Sequence, residues 1–403
     1  IIFPHQKGSS AGVVTVTKEV RIIDYLCADD TDLRSLSADI GAGKIATPIK
    51  TINPRDFYTD TDFPQNLTNL HETYLKFNDE SLHRMDEDKA YSMQKNKEIS
   101  RCRKKAHDCP GLCFVEFKTG GPEGRYPTAH EIDILANAAY SYSAITPIPS
   151  VPRMGRSINR ENIEGFLQYL SSCIESIEVR NKKCILGYMP SATALYTQTI
   201  VDFYLDHGIN GYYIDFDGTM VQSHLDSLNA LKRRLKVRGY EENNLLCYIN
   251  VSFGKAINDQ NVLSARDLLA YGHGLDCLGG NHVGSKRNPE FYEWLKKQKA
   301  VARNTTRLLN IQDYGYYRAD LLGEAGRTVY PEGALIGYEE SLSGTISRQK
   351  RSLQIINMQQ QCLETETLKR VIDESGDASL DYFSSKKNVV RGDLKGLARK
   401  GGR

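Results

Sequence analysis

The chain has 403 residues, of which 40% are hydrophobic and 25% are charged, a composition typical of a folded protein with a large core. Lysine and arginine number 52 and aspartate and glutamate 50, so the net charge of +2 excludes an obligately polybasic nucleic-acid binder but not a local basic patch. No apolar run approaches the roughly 18 to 20 residues that cross a bilayer, and we expect no membrane partner.

The cysteines predict the compartment. Nine of them, an odd number, are scattered along the chain, which favours free thiols in a reducing cytoplasm. The opening segment Ile1–Pro4 is too short for a signal peptide. A zinc set is conceivable, but its spacing is too wide for a CxxC hook: Cys102, His107, Cys109 and Cys113. We therefore expect neither a metal nor another cofactor.

The first 110 residues lack a regular pattern and are predicted to form an N-terminal segment. Short strands are indicated within residues 14–25. Residues 51–105 are polar, first Asp-rich and then Lys/Arg-rich, and predict a surface excursion with a helix over Glu80–Lys97. The basic stretch 95–105 is a candidate contact for phosphates.

From residue 111 to 345 short apolar runs alternate with segments of helical periodicity. The runs are Cys113–Phe117, Ala144–Ile148, Cys184–Met189, Gly211–Ile214, Leu245–Val251, Leu275–Leu278 and Leu308–Ile311. The intervening helices are predicted over Ile163–Ile177, Thr197–His207, Val221–Arg238, Val262–Tyr271 and Pro289–Arg303. This alternation predicts an α/β fold with a parallel sheet, closed as a (β/α)₈ TIM-type barrel if residues 14–25 supply the eighth strand.

A doubly wound open sheet is the rival architecture. No GxGxxG or GxxxxGK[ST] motif follows a predicted strand, which disfavours a nucleotide-binding fold of that kind.

Residues 346–403 are predicted to form a C-terminal helical extension with a basic tail. A long helix is expected over Arg348–Glu374, and Gly376 is suited to end it. The tail from Lys386 to Arg403 holds seven basic residues and one acid, a charge of 7 − 1 = +6. Two interpretations stay open, a solvated end and an arm that contacts phosphates.

Active sites of such barrels lie at the carboxyl ends of the strands, so the residues just beyond each run are the candidates. Polar groups and glycines are dense there. Those predicted to bind substrate are Lys118, Thr119, Gly120, Gly121, Arg153 and Asn281.

The motif Tyr212–Gly218 is the sharpest local feature. Strand alternation predicts that Asp215 and Asp217 point to one side, where two close carboxylates would raise one pKa and form an acid/base pair. Alternatively, one aspartate caps the next helix and the other pairs with a cation. The spacing also suits a divalent cation, although a lone DxD motif is weak evidence.

Two further acid or base candidates stand near glycines and aromatic residues. Asp313 is flanked by tyrosines, of which Tyr314 and Tyr316 are predicted to bind substrate, and a carboxylate among rings suits the nucleophile of a glycosyl transfer. A turn or cap role is the alternative. His282 comes after a Gly-Gly pair and is suited to move a proton or bind a phosphate.

Several segments together resemble the tRNA-guanine transglycosylase superfamily, barrel enzymes that exchange a nucleobase in nucleic acid. Phe117–Gly121 lies where that family has an Asp-Ser-Gly-Gly turn, and Gly208–Ile214 resembles its "GxDGYAIGG" strand. Ser264–Asp276 resembles the helix and strand before its nucleophile. Gly326–Tyr330 and the segment from Ile356 are similar to the family's segments on the C-terminal side of the nucleophile.

If Gly274–Asp276 is the aligned strand, the resemblance puts Gly279 at the nucleophile position. If Leu309–Asp313 is aligned instead, it implies that Asp313 is the nucleophile, and the order of the later segments favours this alignment.

The resemblance also puts Lys118 where the family has an acid, and the family's zinc-binding cysteines are absent between Tyr330 and Arg351. Zinc-free relatives that insert 7-deazaguanines into DNA are the better comparison in that respect.

The sequence thus predicts a transglycosylase-like enzyme that exchanges or inserts a (7-deaza)guanine-type base, with DNA or tRNA and a free nucleobase as partners. Asp313 would attack the sugar, and Asp215, Asp217 or His282 would handle the proton. One alternative is a glycoside hydrolase-like barrel that uses Asp215 or Asp217 with Asp313. The other is a catalytically inactive nucleic-acid-binding barrel subunit.

Overall fold

The structure, a computed structural model, describes most of the chain. The described residues are 18–57, 67–68, 70–106, 109–119, 124–152, 154, 158–180, 183–190, 192–253, 262–283, 293, 297, 306–318, 326–374 and 378–398.

Within these ranges the strands are β1 (Arg21–Cys27), β2 (Arg34–Asp39), β3 (Lys44–Ala46), β4 (Ile49–Lys50), β5 (His71–Phe77), β6 (Gly111–Phe117), β7 (Thr146–Pro147), β8 (Ile185–Met189), β9 (Gly211–Asp215), β10 (Leu245–Ile249), β11 (Val262–Ser264), β12 (Cys277–Leu278), β13 (Arg307–Asn310) and β14 (Gly315–Arg318). The α-helices are α1 (Asp79–Glu87), α2 (Lys89–Lys105), α3 (Ala129–Tyr142), α4 (Ile163–Glu178), α5 (Ala194–Asp206), α6 (Leu225–Val237), α7 (Gly326–Val329), α8 (Tyr338–Ser341), α9 (Ile346–Glu374), α10 (Ser379–Ser384) and α11 (Arg391–Leu397).

Six strands form one parallel sheet in the order β4-β12-β10-β9-β8-β7. Every residue of β8, β9 and β10 is buried, as is typical of a parallel sheet covered on both faces. Helices α4, α5 and α6 follow successive strands. The α/β class and the parallel sheet predicted from the alternating pattern are therefore confirmed.

Strands β5 and β6 form a second parallel pair, which contacts both edges of the six-stranded sheet. An isolated parallel bridge joins Ile52, just after β4, to His71 in β5. A second one joins Glu116 in β6 to Ser150, just after β7. The carboxyl ends of all eight parallel strands consequently point the same way.

Two strands of this arrangement come from the part of the chain that was expected to be a surface excursion. Strand β4 pairs with β12, and β5 pairs with β6 over seven residues, all but Lys76 buried. The parallel strands therefore begin at Ile49, on the N-terminal side of the domain boundary that the sequence predicts at residue 110. The expected helix of that segment is present as α1 and α2.

Among residues 18–25, the described part of the strand predicted within residues 14–25, no residue forms a strand of the parallel arrangement. The described part of it belongs to β1, which pairs antiparallel with β2, and β2 pairs antiparallel with β3. Alternate residues of β2 are buried, including Leu36 and Ala38, so this meander packs one face onto the core.

Two predictions between residues 262 and 311 are wrong. The segment expected as the helix Val262–Tyr271 forms β11 and a 3₁₀ helix over Leu268–His273. The run Leu308–Ile311 supplies β13, which forms an antiparallel hairpin with β14 rather than a strand of the parallel sheet. The helix predicted over Pro289–Arg303 lies outside the described residues, apart from Glu293 and Lys297.

The long C-terminal helix is confirmed as α9, which packs against β4 and β13. Beyond it, residues 378–398 are docked rather than solvated. Phe383 and Leu397 are buried, and Arg266 forms a buried ion pair with Asp393 at 2.7 Å. Lys386, the first basic residue of the tail, is itself buried and donates a hydrogen bond to the Ile311 carbonyl.

No helix of the described ranges is both long and apolar enough to cross a membrane.

Candidate functional site

Polar side chains from five neighbouring segments meet at the carboxyl ends of the parallel strands. They form the rim cluster, which consists of Glu72, Tyr74, Glu116, Asp215, Asn250 and His282. Beneath it lies a layer of rings in which Tyr213 contacts Phe114 and Tyr188, with centroid distances of 5.1 and 5.5 Å. Side chains two residues apart on a strand point to the same side. Glu116 therefore lies on the same side of β6 as Phe114, and Asp215 on the same side of β9 as Tyr213.

Asp215 is the last residue of β9 and is 7% exposed. Its Oδ1 accepts hydrogen bonds from Asn250 Nδ2 and from the Asp217 amide, both at 2.8 Å. Burial raises the pKa of Asp215 to about 6, against the hydrogen bond from Asn250, and the nearby Glu116 raises it further. A carboxyl group that titrates so close to neutrality is suited to both give and take a proton.

Tyr74 connects Glu116 to Asn250. Its hydroxyl donates to Glu116 Oε2 at 2.8 Å and accepts from Asn250 Nδ2 at 3.4 Å. Burial and the neighbouring carboxylates Asp215 and Glu116 raise the pKa of Tyr74 above its ordinary value, so the hydroxyl keeps its proton. A continuous polar path thus runs from Glu116 through Tyr74 and Asn250 to Asp215.

Glu72 and His282 form the second charged pair of the rim cluster. His282 Nε2 lies 3.0 Å from Glu72 Oε1, which also accepts from the Gly280 amide at 2.7 Å. Burial opposes ionisation of Glu72, but the hydrogen bond and charge of His282 outweigh it, with help from Lys50, and lower its pKa to about 2. Glu72 is therefore a permanent anion at neutral pH.

His282 is held through both its ring and its backbone. Its ring stacks on Tyr74 at a centroid distance of 4.3 Å, and its amide donates to Asn250 Oδ1 at 2.6 Å. Lys76 Nζ donates to the His282 carbonyl at 2.8 Å and lies 3.6 Å from Glu116 Oε2. His282 is positioned as firmly as the carboxylates around it.

Two of the four residues predicted to be catalytic, Asp215 and His282, are thus brought together. The prediction that strand alternation aligns Asp217 with Asp215 is wrong. Strand β9 ends at Asp215, and Asp217 takes a left-handed conformation with φ of 46°. The like charge near Asp215 comes from Glu116 instead.

Asp313 lies in a different place from the one predicted. It sits in the turn of the β13–β14 hairpin, where Oδ1 accepts the Gly315 amide at 2.9 Å and Oδ2 accepts the Tyr317 hydroxyl. Its carbonyl accepts the Asn388 amide. The contacts described for Asp313 are those of a turn-forming residue, and none of them is to the rim cluster.

The tyrosines predicted to bind substrate beside Asp313 are core residues. Tyr314 is fully buried and donates to Glu364, and Tyr316 is 3% exposed and donates to Asp267. Tyr316 also stacks on Phe253. Both rings are buried away from the rim cluster, and their contact with a substrate stays a prediction.

The other predicted substrate-binding residues are spread over the rim. Lys118 comes directly after β6 and is exposed, and Thr119 is buried with a hydroxyl that has no hydrogen-bond partner. Asn281 is exposed and bonds to its own loop through the Val283 amide. Three further predictions, Gly120, Gly121 and Arg153, lie outside the described residues.

Glu72, Tyr74, Glu116 and Asn250 were missed as site residues from the sequence. The first two are in β5, whose polar surroundings obscured a buried strand. A weak signal was available, because Leu75 and Phe77 take alternate positions with Tyr74 and Lys76 at the period of a strand.

The basic segment 95–105 is on the wrong side to serve the rim. It forms the second half of α2, whose C-terminal end leads into the amino end of β6. Phosphates bound there would lie at the opposite ends of the strands from Asp215.

Within the described ranges, no group of three His, Cys, Asp or Glu side chains is arranged to hold a metal ion. The nine cysteines are free thiols.

No protein-family model matches the chain, and no significant match to a curated protein was found. The resemblance to the transglycosylase superfamily therefore stays a prediction.

Proposed function

We propose first that the parallel strands close into an eight-stranded (β/α)₈ barrel. The support is the pair of bridges that link β5 and β6 to both sheet edges. The Glu72 amide donates to the Ile52 carbonyl at 2.8 Å, and the Phe117 amide donates to the Ser150 carbonyl at 2.9 Å. The circular order is then β4-β5-β6-β7-β8-β9-β10-β12, and the rim cluster occupies the end where barrel enzymes hold their active sites.

We propose second that the rim cluster cleaves a glycosidic bond, as an enzyme that exchanges or inserts a base in nucleic acid. The observation that carries this proposal is the buried pair of Asp215, with a pKa of about 6, and Glu116. A retaining glycosyl transfer uses two carboxyl groups beside the bond that breaks, one of which gives and takes a proton.

Glu116 is the proposed nucleophile, in place of Asp313. The hydroxyl of Tyr74 and the ammonium of Lys76 both face Glu116 Oε2, and these partners suit an ionised carboxylate. Glu116 would form a bond to the anomeric carbon as the bond to the departing base breaks.

Asp215 is the proposed acid and base. Protonated, it would give its proton to the departing base; ionised, it would take a proton from the incoming base, which then displaces Glu116. Tyr74 and Asn250 lie between the two carboxyl groups and would hold them in register. His282, fixed by Glu72, would contact the substrate beside them.

Nucleic acid is the proposed polymer because lysines stand at this rim. Lys76 and Lys118 lie at the carboxyl ends of the neighbouring strands β5 and β6, and Lys118 is exposed. Ammonium groups beside a base pocket suit the phosphates of a nucleotide drawn out of its stack.

The test is incorporation of labelled guanine, and separately of a labelled 7-deazaguanine, into tRNA and into duplex DNA. We expect label in one polymer with the unaltered protein and its loss in Glu116→Gln and Asp215→Asn. Asp313→Asn is the matched control, because it neutralises a carboxylate of the hairpin and should keep the label.

Retention of label in Glu116→Gln would refute the proposed nucleophile, and loss in Asp313→Asn alone would restore the role predicted from the sequence. If neither polymer takes up label but the protein hydrolyses aryl glycosides in a way that depends on Asp215, the substrate is a free glycoside and not nucleic acid. Absence of every activity, with salt-sensitive binding of nucleic acid, would make the barrel a binding subunit.

A further inference from the structure

A cavity of about 260 Å³ lies at the amino ends of the strands, on the side of the molecule opposite to the rim cluster. Its walls come from the β2–β3 turn at Gly41, the end of α2 at Arg103, the start of β6 at Gly111 and the end of α3 at Tyr142. Lys183, two residues before β8, completes it. With His71 at the start of β5, six separate segments line one space.

The charge on these walls has one sign. Arg103 and Lys183 line the cavity, and none of its described lining residues is an aspartate or glutamate. Burial, and after it the positive charge of Arg103, lowers the pKa of Lys183 from its ordinary value. An anion bound at these walls would relieve that repulsion.

Lys183 is held towards this space without a carboxylate among its described partners. Its ammonium donates to the Tyr140 carbonyl and lies 4.3 Å from the centre of the Tyr140 ring. Both partners leave its positive charge uncompensated, and donor positions of the ammonium remain for a ligand.

His71 adds a buried polar group to the same walls. It is 3% exposed, and the backbone of Cys109 and Pro110 supplies hydrogen bonds to it. The ring fits only because residue 111 is glycine, since a Cβ there would lie 2.4 Å from His71 Nε2.

We propose that this cavity binds the phosphate group of a small phosphomonoester. Two cations on the walls of one cavity match a dianion better than a single carboxylate. The volume is just below the roughly 300 to 1,000 Å³ of pockets for drug-sized ligands, so a small ester fits and a polymer does not. The site is independent of the rim cluster and of its proposed chemistry.

Inorganic phosphate is the probe, titrated calorimetrically into the full chain at low ionic strength with chloride as the background anion. We expect one saturable site, weakened at least about tenfold in Lys183→Gln and in Arg103→Gln, because each loses a charge-assisted hydrogen bond. Lys104→Gln is the matched control. It removes the same charge from the same helix at an exposed residue outside the cavity, and affinity should stay within about twofold.

Absence of saturable binding would overturn the proposal, and so would equal losses in Lys104→Gln and Lys183→Gln, which would indicate diffuse attraction. The Arg103→Gln variant keeps the test valid if Lys183→Gln folds poorly, because Arg103 is exposed. A short oligonucleotide without terminal phosphates is the last arm. If it displaces phosphate, and Lys183→Gln abolishes its binding, the ligand is a nucleic-acid backbone and the proposed ester is wrong.

Discussion

Asp215→Asn is predicted to stabilise the protein, with a gain that depends on pH. The pKa of Asp215 is raised from its ordinary value of 3.8 to about 6, chiefly by burial. Each pH unit of difference between the folded and unfolded states corresponds to 1.36 kcal/mol, so the ionised carboxylate costs about 3 kcal/mol above pH 6. The amide of asparagine removes that cost, and its Oδ1 can still accept from Asn250 and from the Asp217 amide.

Whether stability rises or falls with pH depends on which state, folded or unfolded, binds the proton of Asp215 more tightly. Because the folded-state pKa of Asp215 is raised, its favourable contribution is complete below about pH 4 and is lost as the pH rises through 6. The asparagine variant has no such dependence. Its advantage should therefore be about 3 kcal/mol at pH 8, about half of that near pH 5 and close to zero at pH 4.

The assay is urea unfolding followed by circular dichroism at these three pH values. Asp202→Asn is the control, and it is expected to lower stability at pH 8 where Asp215→Asn raises it. Although partial burial opposes its ionisation, Arg234 and Arg238 lower the pKa of Asp202. Because this group is largely exposed, its neutralisation should cost less than about 1 kcal/mol at pH 8.

Equal or lower stability of Asp215→Asn at pH 8 would refute the reasoning, and so would a gain of the same size at pH 4. The expected result would show that the protein carries an ionisable group at a cost to its stability. Such a cost is typical of residues kept for chemistry.

Two more predictions concern stability alone and use the same unfolding assay. Arg34→Met should lower the free energy of unfolding by about 3–5 kcal/mol, because it leaves Asp276 buried without the two hydrogen bonds from Arg34. The control Arg238→Met, on the surface, should lower it by less than about 1 kcal/mol. Similar losses in both variants would contradict the assignment of a buried pair. Lys386→Met should lower the free energy of unfolding by about 1.5–3 kcal/mol, because it removes a buried hydrogen bond. Lys387→Met, at an exposed residue, should lower it by less than about 0.5 kcal/mol. Unchanged stability of Lys386→Met would mean that the tail is not docked.

The candidate site joins residues with very different sequence signals. Asp215 ends a conspicuous apolar strand with a motif of its own, and His282 comes after a Gly-Gly pair. Glu116 and Glu72 have no such mark, because each is a single acidic residue within a buried strand. Only the pairing of β5 with β6, and of β9 with β10, brings these four side chains to one end of the sheet.

Asp313 shows why the residues at the carboxyl ends of the strands cannot all be predicted from hydrophobic runs in the sequence. The run before it is as apolar as a strand of the parallel sheet, and its tyrosines suggest a binding platform. The Gly315 amide turns the chain back on itself instead, and the hairpin buries Tyr314 and Tyr316 against α9 and the C-terminal segment. A hydrophobic run is buried in either arrangement, so the run alone does not distinguish a parallel strand from a hairpin.

The sequence by itself determined the α/β class, the parallel strands from Gly111 to Leu278, the helices α4, α5 and α6 between them and the long helix α9. These depend on local periodicity, since each element buries one face or stripe wherever it lies in the fold. Tertiary structure alone decided that β4 and β5 join the parallel strands, that residues 378–398 are docked, and which carboxylates meet. Those outcomes depend on contacts between segments distant in the chain, and on the burial that moves the pKa of Asp215 to about 6.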